Sequence, residues 1–317
     1  MATAWDWLTL GLMVLLVAGA GCVALTGLTA FVVTRLMPPR GAFIQIAGER
    51  IHWLEKGQGP PLLLIHGLSG QMGNFTHSLV DRLATSHRVI VFDRPGSGHS
   101  SRAPGRDGSL VTQAALVAEL IQALGLGQPA VMGHSLGGAI ALMLALNHPA
   151  SVRTLALVAP LTQPQDAPPP AFKLLAIRHA GLRALVAWTV ATPWAIVHSA
   201  QVLKAVFAPN TGPLDFATRG GGLLTLRPAS FIHASQDMAA VEIELPALAL
   251  RYGDLPCPVS ILFGRGDQIL DPQRNGVQTA ACNPAVIHLT TIKGGHMLPI
   301  SAPDAVADFV RKASTPA

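Results

Sequence analysis

The chain alternates short, mostly apolar runs with longer stretches in which apolar and polar positions recur at helical spacing. Six runs have the first character: 62–65, 89–92, 130–132, 154–158, 259–264 and 286–292. Their brevity, their content of Val, Ile and Leu, and the glycine or aspartate that closely follows most of them predict buried strands. Between them, 110–124 reads as a helix with Ser109 as its N-cap. The small-residue run 138–146 reads as another, and Pro303 suits the first turn of a last helix reaching about residue 312. Strands and helices in alternation argue for a mostly parallel sheet with helices on both faces. Residues 163–170, Gln-Pro-Gln-Asp-Ala-Pro-Pro-Pro, form a stiff linker. Two apolar helix-like stretches follow, 172–190 and 194–207, and then Gly220-Gly221-Gly222 offers a bend or hinge. No internal repeat is visible.

The N-terminus breaks this rhythm. The 28 positions between Asp6 and Arg35 carry no charge and are dominated by Leu, Val, Ala and Gly. About 20 such residues span a bilayer, so a transmembrane helix over 7–36 is expected. Trp5 and Trp7 suit one interface, and Arg35 and Arg40 the other. A cleaved signal peptide is the competing reading, but residues 1–7 hold no Lys or Arg and the apolar run exceeds an ordinary signal core. Arg35, Arg40 and Arg50 follow the span and nothing basic precedes it, which favours a single-pass protein with its globular part on the cytoplasmic face.

Chemistry concentrates at the ends of the strand-like runs. Gly133-His134-Ser135-Leu136-Gly137 lies between the run 130–132 and the helix-like 138–146. Strand, sharp turn and helix is the context in which G-x-S-x-G presents a nucleophilic serine. Ser135 needs a base, and the base needs an orienting acid. The run 259–264 ends in Arg265-Gly266-Asp267, and 286–292 leads to Gly294-Gly295-His296. Asp271, four residues past Asp267, is the alternative acid; Asp267 is preferred because it directly follows the strand-ending Gly-Arg-Gly. Upstream, 62–65 runs into His66-Gly67-Leu68, and 89–92 into Asp93-Arg94-Pro95-Gly96-Ser97-Gly98-His99-Ser100. His66 and His134 are assigned local packing and hydrogen bonding, and Asp93 the tying down of its own loop.

With these motifs the chain resembles the α/β-hydrolase superfamily, in its lidded esterase, epoxide hydrolase and C–C hydrolase branch, from about residue 43 to 310. The resemblance implies an α/β-hydrolase core over 42–160 and 256–313, interrupted by a helical lid over 161–255. It implies Ser135 as nucleophile, His296 as general base, Asp267 as orienting acid, and the amides of Leu68 and Leu136 as the oxyanion hole. It implies a serine hydrolase cleaving carboxylic esters of hydrophobic substrates, with no cofactor. A C–C hydrolase or perhydrolase shares the same triad, and a non-catalytic accessory or binding role is the alternative from another class. Epoxide hydrolases and dehalogenases of the family carry a carboxylate where Ser135 stands, and Tyr252 is the single tyrosine, so those activities are set aside. Trp188, Trp194, Phe207, Phe216 and Phe231 are candidates to line an acyl pocket beneath the lid.

Composition alters little in this picture. Half the residues are hydrophobic and only 12% are charged, which supplies an ample core. The formal charge of +5 invites a nucleic-acid partner, but basic residues are scattered singly and aromatics make up 5%, not interleaved with bases. A diffuse positive face near an anionic bilayer is the better use of that charge. No phosphate-binding glycine loop and no metal-ligand spacing is present. Three cysteines suggest no disulfide framework, with a Cys257–Cys282 pair left open.

Overall fold

The computed structural model describes residues 3–315. A long helix α1 (Ala4–Leu36) leads into a hairpin of β1 (Ala42–Ile46) and β2 (Glu49–Lys56). Then come β3 (Pro61–Ile65), β4 (Arg88–Phe92), α2 (Leu110–Ala123), β5 (Ala130–His134), α3 (Leu136–Asn147) and β6 (Thr154–Val158). A helical segment carries α4 (Ala180–Val186), α5 (Thr192–Phe207) and α6 (Pro228–Ala249). The chain closes with β7 (Val259–Gly264), β8 (Ile287–Ile292) and α7 (Pro303–Ser314).

The eight strands form one sheet in the order β1-β2-β4-β3-β5-β6-β7-β8. The β1–β2 and β2–β4 pairs are antiparallel, and every other pair is parallel. Strands covered on both faces lose the alternation of polar and apolar positions. That is why Leu62, Leu63, Leu64 and Ile65 are all fully buried. Successive side chains still point to opposite layers: Leu63 and Ile65 pack with α2 and α3, and Leu62 and Leu64 with α7.

The predicted strands and the helices α2, α3 and α7 form within two residues of the expected bounds. The hairpin β1–β2 and the 22-residue α6 carried no specific expectation. Elsewhere in the segment between β6 and β7 the structure corrects the reading. The stretch 172–190 is no continuous helix: a 3₁₀ turn (Pro170–Leu175) precedes α4, and a π turn (Ala187–Ala191) joins α4 to α5. Gly220 is no free hinge, because its carbonyl accepts from Gln71 Nε2 at 3.1 Å and Asn74 Nδ2 at 3.0 Å. All three cysteines are free, so Cys257 and Cys282 do not pair.

Helix α1 begins with a capping box: Thr3 Oγ1 accepts from the Asp6 amide, and the Asp6 carboxylate accepts from the Thr3 amide. At 1.5 Å per residue its 33 residues reach about 50 Å. Up to residue 18 every described position is exposed. Beyond it, Cys22, Thr26, Ala30 and Val33 form a part-buried stripe, with Thr26 and Val33 fully buried. That stripe lies against the Ala187–Ala191 turn, α5 and a 3₁₀ turn at Gly222–Leu226.

Candidate active site

Ser135 sits between β5 and α3 with φ 54° and ψ −122°, a backbone conformation that side-chain-bearing residues rarely adopt. The neighbouring glycines make the turn sterically feasible. A Cβ at Gly137 would stand 2.1 Å from the Ile65 carbonyl oxygen, and one at Gly133 2.5 Å from that of Gly137. The turn is held by β6, where Val158 O accepts from the Ser135 amide at 3.2 Å, and Ser135 O accepts from the Leu161 amide at 2.9 Å.

The loops after β7 and β8 bring the acid and the histidine together. His296 Nδ1 and Asp267 Oδ2 are 2.8 Å apart, with both side chains at 4% exposure or less. The other carboxylate oxygen of Asp267 accepts from the amides of Ile269 (2.8 Å) and Leu270 (3.0 Å), which fixes its plane. Asp271 is exposed and, among the described residues, accepts only the Gln273 amide on its side chain, so the structure joins Asp267 and not Asp271 to the histidine. His134 Nε2 lies 3.1 Å from His296 O. Burial pushes His134 down to about 3, so the neutral ring donates there and steadies the loop. Ser135 and His296 line the same pocket. They form no mutual hydrogen bond in this structure, an interaction that commonly tightens only with substrate in place.

Leu68 follows β3 and Leu136 opens α3. Among the described residues neither amide donates to another protein group. Gly67 lies so close to the nucleophile that an added Cβ would stand 2.8 Å from Ser135 Cβ. Asp93 does bind its own loop, accepting from the amides of Met72 and His99 at 2.8 Å and pairing with His52 Nδ1 at 2.7 Å.

A mostly apolar pocket of about 290 Å³ contains Ser135 and His296 and is lined by Leu68, Phe172, Trp194, Leu203, Phe216 and Phe231, among others. Trp194, Phe216 and Phe231 therefore stand where the sequence suggested. Trp188 instead faces outward at 44% exposure, and Phe207 is buried against Phe216, Met297 and Ile300; neither lines the pocket. A second pocket, about 370 Å³, also reaches Ser135 and Leu68 and extends to Leu161, Val241, Leu245 and Ile269. It was invisible in the sequence, since its walls come from five separated segments.

The model of the family described as alpha/beta hydrolase fold matches residues 60–303. The chain belongs to the α/β hydrolase family. Curated relatives include the dihydrolipoyllysine-residue acetyltransferase component of an acetoin-cleaving system of Cupriavidus necator. It is 37% identical over 121 residues, 38% of this chain and 32% of that protein. This chain thus spans about a third of the length of the first curated relatives it matches. A pimeloyl-[acyl-carrier protein] methyl ester esterase of Aeromonas hydrophila is 41% identical over 32% of this chain and 39% of its own. The magnesium-chelatase 30 kDa subunit of Rhodobacter capsulatus is 29% identical over 80% of this chain and 86% of its own. Among solved structures, one titled a membrane phospholipase A covers 97% of this α/β hydrolase and 100% of its own chain. Its TM-score is 0.68 at 24% identity.

Sequence reasoning missed Arg94 and Asp237, which meet behind the Leu68 loop with side chains at 1% and 2% exposure. Arg94 is visible as the second residue of the Asp93-Arg94-Pro95-Gly96 motif. Asp237 is one of three acidic residues in α6, with Glu242 and Glu244, a poor signal without the fold.

Proposed function

We propose that this α/β hydrolase is a membrane-anchored serine hydrolase that cleaves carboxylic esters of hydrophobic substrates. One observation carries the reading: Ser135 stands on a strained elbow in an apolar pocket that also holds a histidine already paired with a buried aspartate. In this mechanism Ser135 Oγ attacks the ester carbonyl carbon while His296 Nε2 takes its proton. The carbonyl oxygen becomes an oxyanion bound by the amides of Leu68 and Leu136. His296 returns the proton to the departing alkoxide, and the acyl group stays on Ser135. Water, deprotonated by His296, then attacks the acyl-enzyme and releases the acid. Asp267 holds the imidazole in the tautomer with Nδ1–H and stabilises the imidazolium.

The relative named a methyl ester esterase supports ester chemistry, and the structure titled a membrane phospholipase A supports a membrane setting for the fold. Helix α1 is long and apolar enough to cross a bilayer. Roughly its first half is exposed, while the second half docks on the segment carrying α4 and α5. That division suits a helix that enters the bilayer and holds the pocket close to the membrane, with Arg35, Arg40 and Arg50 on the cytoplasmic side. The bilayer and a small hydrophobic ester are the partners this reading names.

The test is a panel of p-nitrophenyl esters of increasing acyl length, run on full-length wild type and Ser135→Ala in detergent, with a fluorophosphonate probe. Hydrolysis and labelling that depend on Ser135 are expected. The magnesium-chelatase subunit match supports a second reading, a non-catalytic accessory protein, and a wild type that neither turns over nor labels would select it. A carbonate wash tests the anchor separately: full-length protein stays with the membrane, and protein lacking residues 1–38 is released. A soluble product of full-length expression with a new N-terminus near residues 22–36 would mean cleavage and export instead.

A further inference from the structure

Behind the loop that carries Leu68 lies a buried charge cluster outside the serine chemistry above. Arg94 Nε donates to His66 O at 3.0 Å and Nη2 donates to Gly67 O at 3.0 Å. His66 Nδ1 reaches the same Gly67 oxygen at 2.9 Å, and its Nε2 accepts from the Arg94 amide at 2.9 Å. Burial pushes His66 down to about 3, and a single neutral tautomer satisfies both bonds. The Gly67 carbonyl thus accepts three hydrogen bonds, the third from the Gly70 amide at 3.2 Å, and one of the three comes from a cation.

Arg94 is itself held. Its Nη1 donates to Asp237 Oδ2 at 2.8 Å and to Gln113 Oε1. Asp237 belongs to α6, in the segment between β6 and β7, and its other oxygen accepts from Arg102 Nη2 at 2.5 Å. Arg102 also donates to Pro95 O at 2.9 Å. One carboxylate therefore serves two guanidiniums, all three side chains being 2% exposed or less. Removing the carboxylate would leave two buried cations facing each other, an arrangement proteins avoid.

The Gly67 carbonyl and the Leu68 amide are the two ends of one peptide unit. Donors on the carbonyl favour the charge-separated resonance form, in which the nitrogen bears partial positive charge and its N–H donates more strongly. We propose that Arg94, fixed by Asp237 of α6, strengthens and aims the Leu68 amide as an oxyanion donor from outside the pocket. Both are positioning residues: neither touches substrate, and each acts through the Gly67–Leu68 peptide. The seating of α6 on the core thereby sets the quality of the oxyanion hole. This rests on the serine-hydrolase reading.

Arg94→Met is the direct test, because it leaves Asp237 paired with Arg102. Active sites are titrated with fluorophosphonate, so that turnover is expressed per folded site. Weakening one oxyanion donor should lower kcat per site about tenfold or more while KM for p-nitrophenyl butyrate moves less than about threefold. Phenylboronic acid adds to a nucleophilic serine as a tetrahedral anion, so its inhibition constant should rise by a factor similar to the fall in kcat. If Arg94→Met does not fold, Asp237→Asn and the pair Asp237→Asn with Arg102→Met replace it. The single change should show the same kcat and boronate signature, and the double change, which restores the cluster's net charge, should recover part of both. Unchanged turnover per site, or lost turnover with unaltered boronate affinity, overturns this proposal alone. A wild type that fluorophosphonate leaves unlabelled removes the serine mechanism and this inference with it.

Discussion

All five residues of β5 and ten of the twelve in α3 are buried, whereas α4, α5 and the turn joining them leave Leu185, Trp188 and Val197 at 59%, 44% and 72% exposure. The elbow lies where the sheet and α3 approach too closely for side chains at Gly133 and Gly137. Such density can hold Ser135 in a conformation that costs on the order of 1–3 kcal/mol. The outer segment strings α4, α5 and α6 together through 3₁₀ and π turns, and the outward face of α4 and α5 is apolar without being covered by the core. Core packing therefore supplies rigidity where a nucleophile must be aimed. The outer segment supplies pocket walls and a surface, and it is fixed to the core at a few points such as Asp237–Arg94 and Gly220–Gln71.

The sharpest way to break this contrast is at the elbow. Ser135→Ala should lower kcat by on the order of 10⁵-fold while leaving the melting temperature nearly unchanged, since the backbone is held by its surroundings. Melting curves and ester turnover on one preparation check both halves. Asp267→Asn should cost about 10⁴-fold, because an amide favours the wrong histidine tautomer. Asp271→Asn, at an exposed carboxylate, should stay near wild type; the reverse ranking in steady-state assays would mean that Asp271 serves the histidine.

Stability should divide in the same manner. Leu64→Ala removes a fully buried side chain from β3 and should cost about 2–5 kcal/mol in chemical unfolding. A pH titration probes the core more gently. His66 and His134 are each pushed by burial from the ordinary 6.5 to about 3. Between those values the unfolded chain binds protons that the folded chain does not, so stability is complete above pH 6.5 and falls as pH drops below it. The slope should approach about 1.4 kcal/mol per histidine for each pH unit. A melting temperature independent of pH between 6.5 and 4.5 would contradict neutral, buried rings. The smallest change belongs to the outer face: Val197→Ser should alter stability by less than about 0.5 kcal/mol. Its consequence should appear instead as slower hydrolysis of a long-chain ester presented in vesicles, with a soluble short-chain ester unaffected.

How much of this was legible in the sequence follows from how local each cause is. The parallel strands were readable because strands covered on both faces must be apolar throughout, and α2, α3 and α7 because Ser109, the small-residue run and Pro303 act within a turn or two. That Ser135, Asp267 and His296 lie just past strand ends was readable because adjacent glycines mark where a sheet presents side chains. The N-terminal helix needed nothing beyond its own composition. The hairpin β1–β2 and helix α6 carried no expectation although the Ala47-Gly48 turn and Pro228 in the first helical turn are local signals, and the breaks within 172–190 accompany packing on α1, α5 and α6, which no local pattern encodes. Only the tertiary structure decided that Asp267 and not Asp271 meets His296, that Trp188 faces out while Trp194 faces in, and that a second pocket reaches Ser135. It alone joined Asp237 to Arg94 across 143 residues of sequence. Pairings at such range leave no pattern along the chain, because what selects them is the shared burial of charges that neither residue could bear alone.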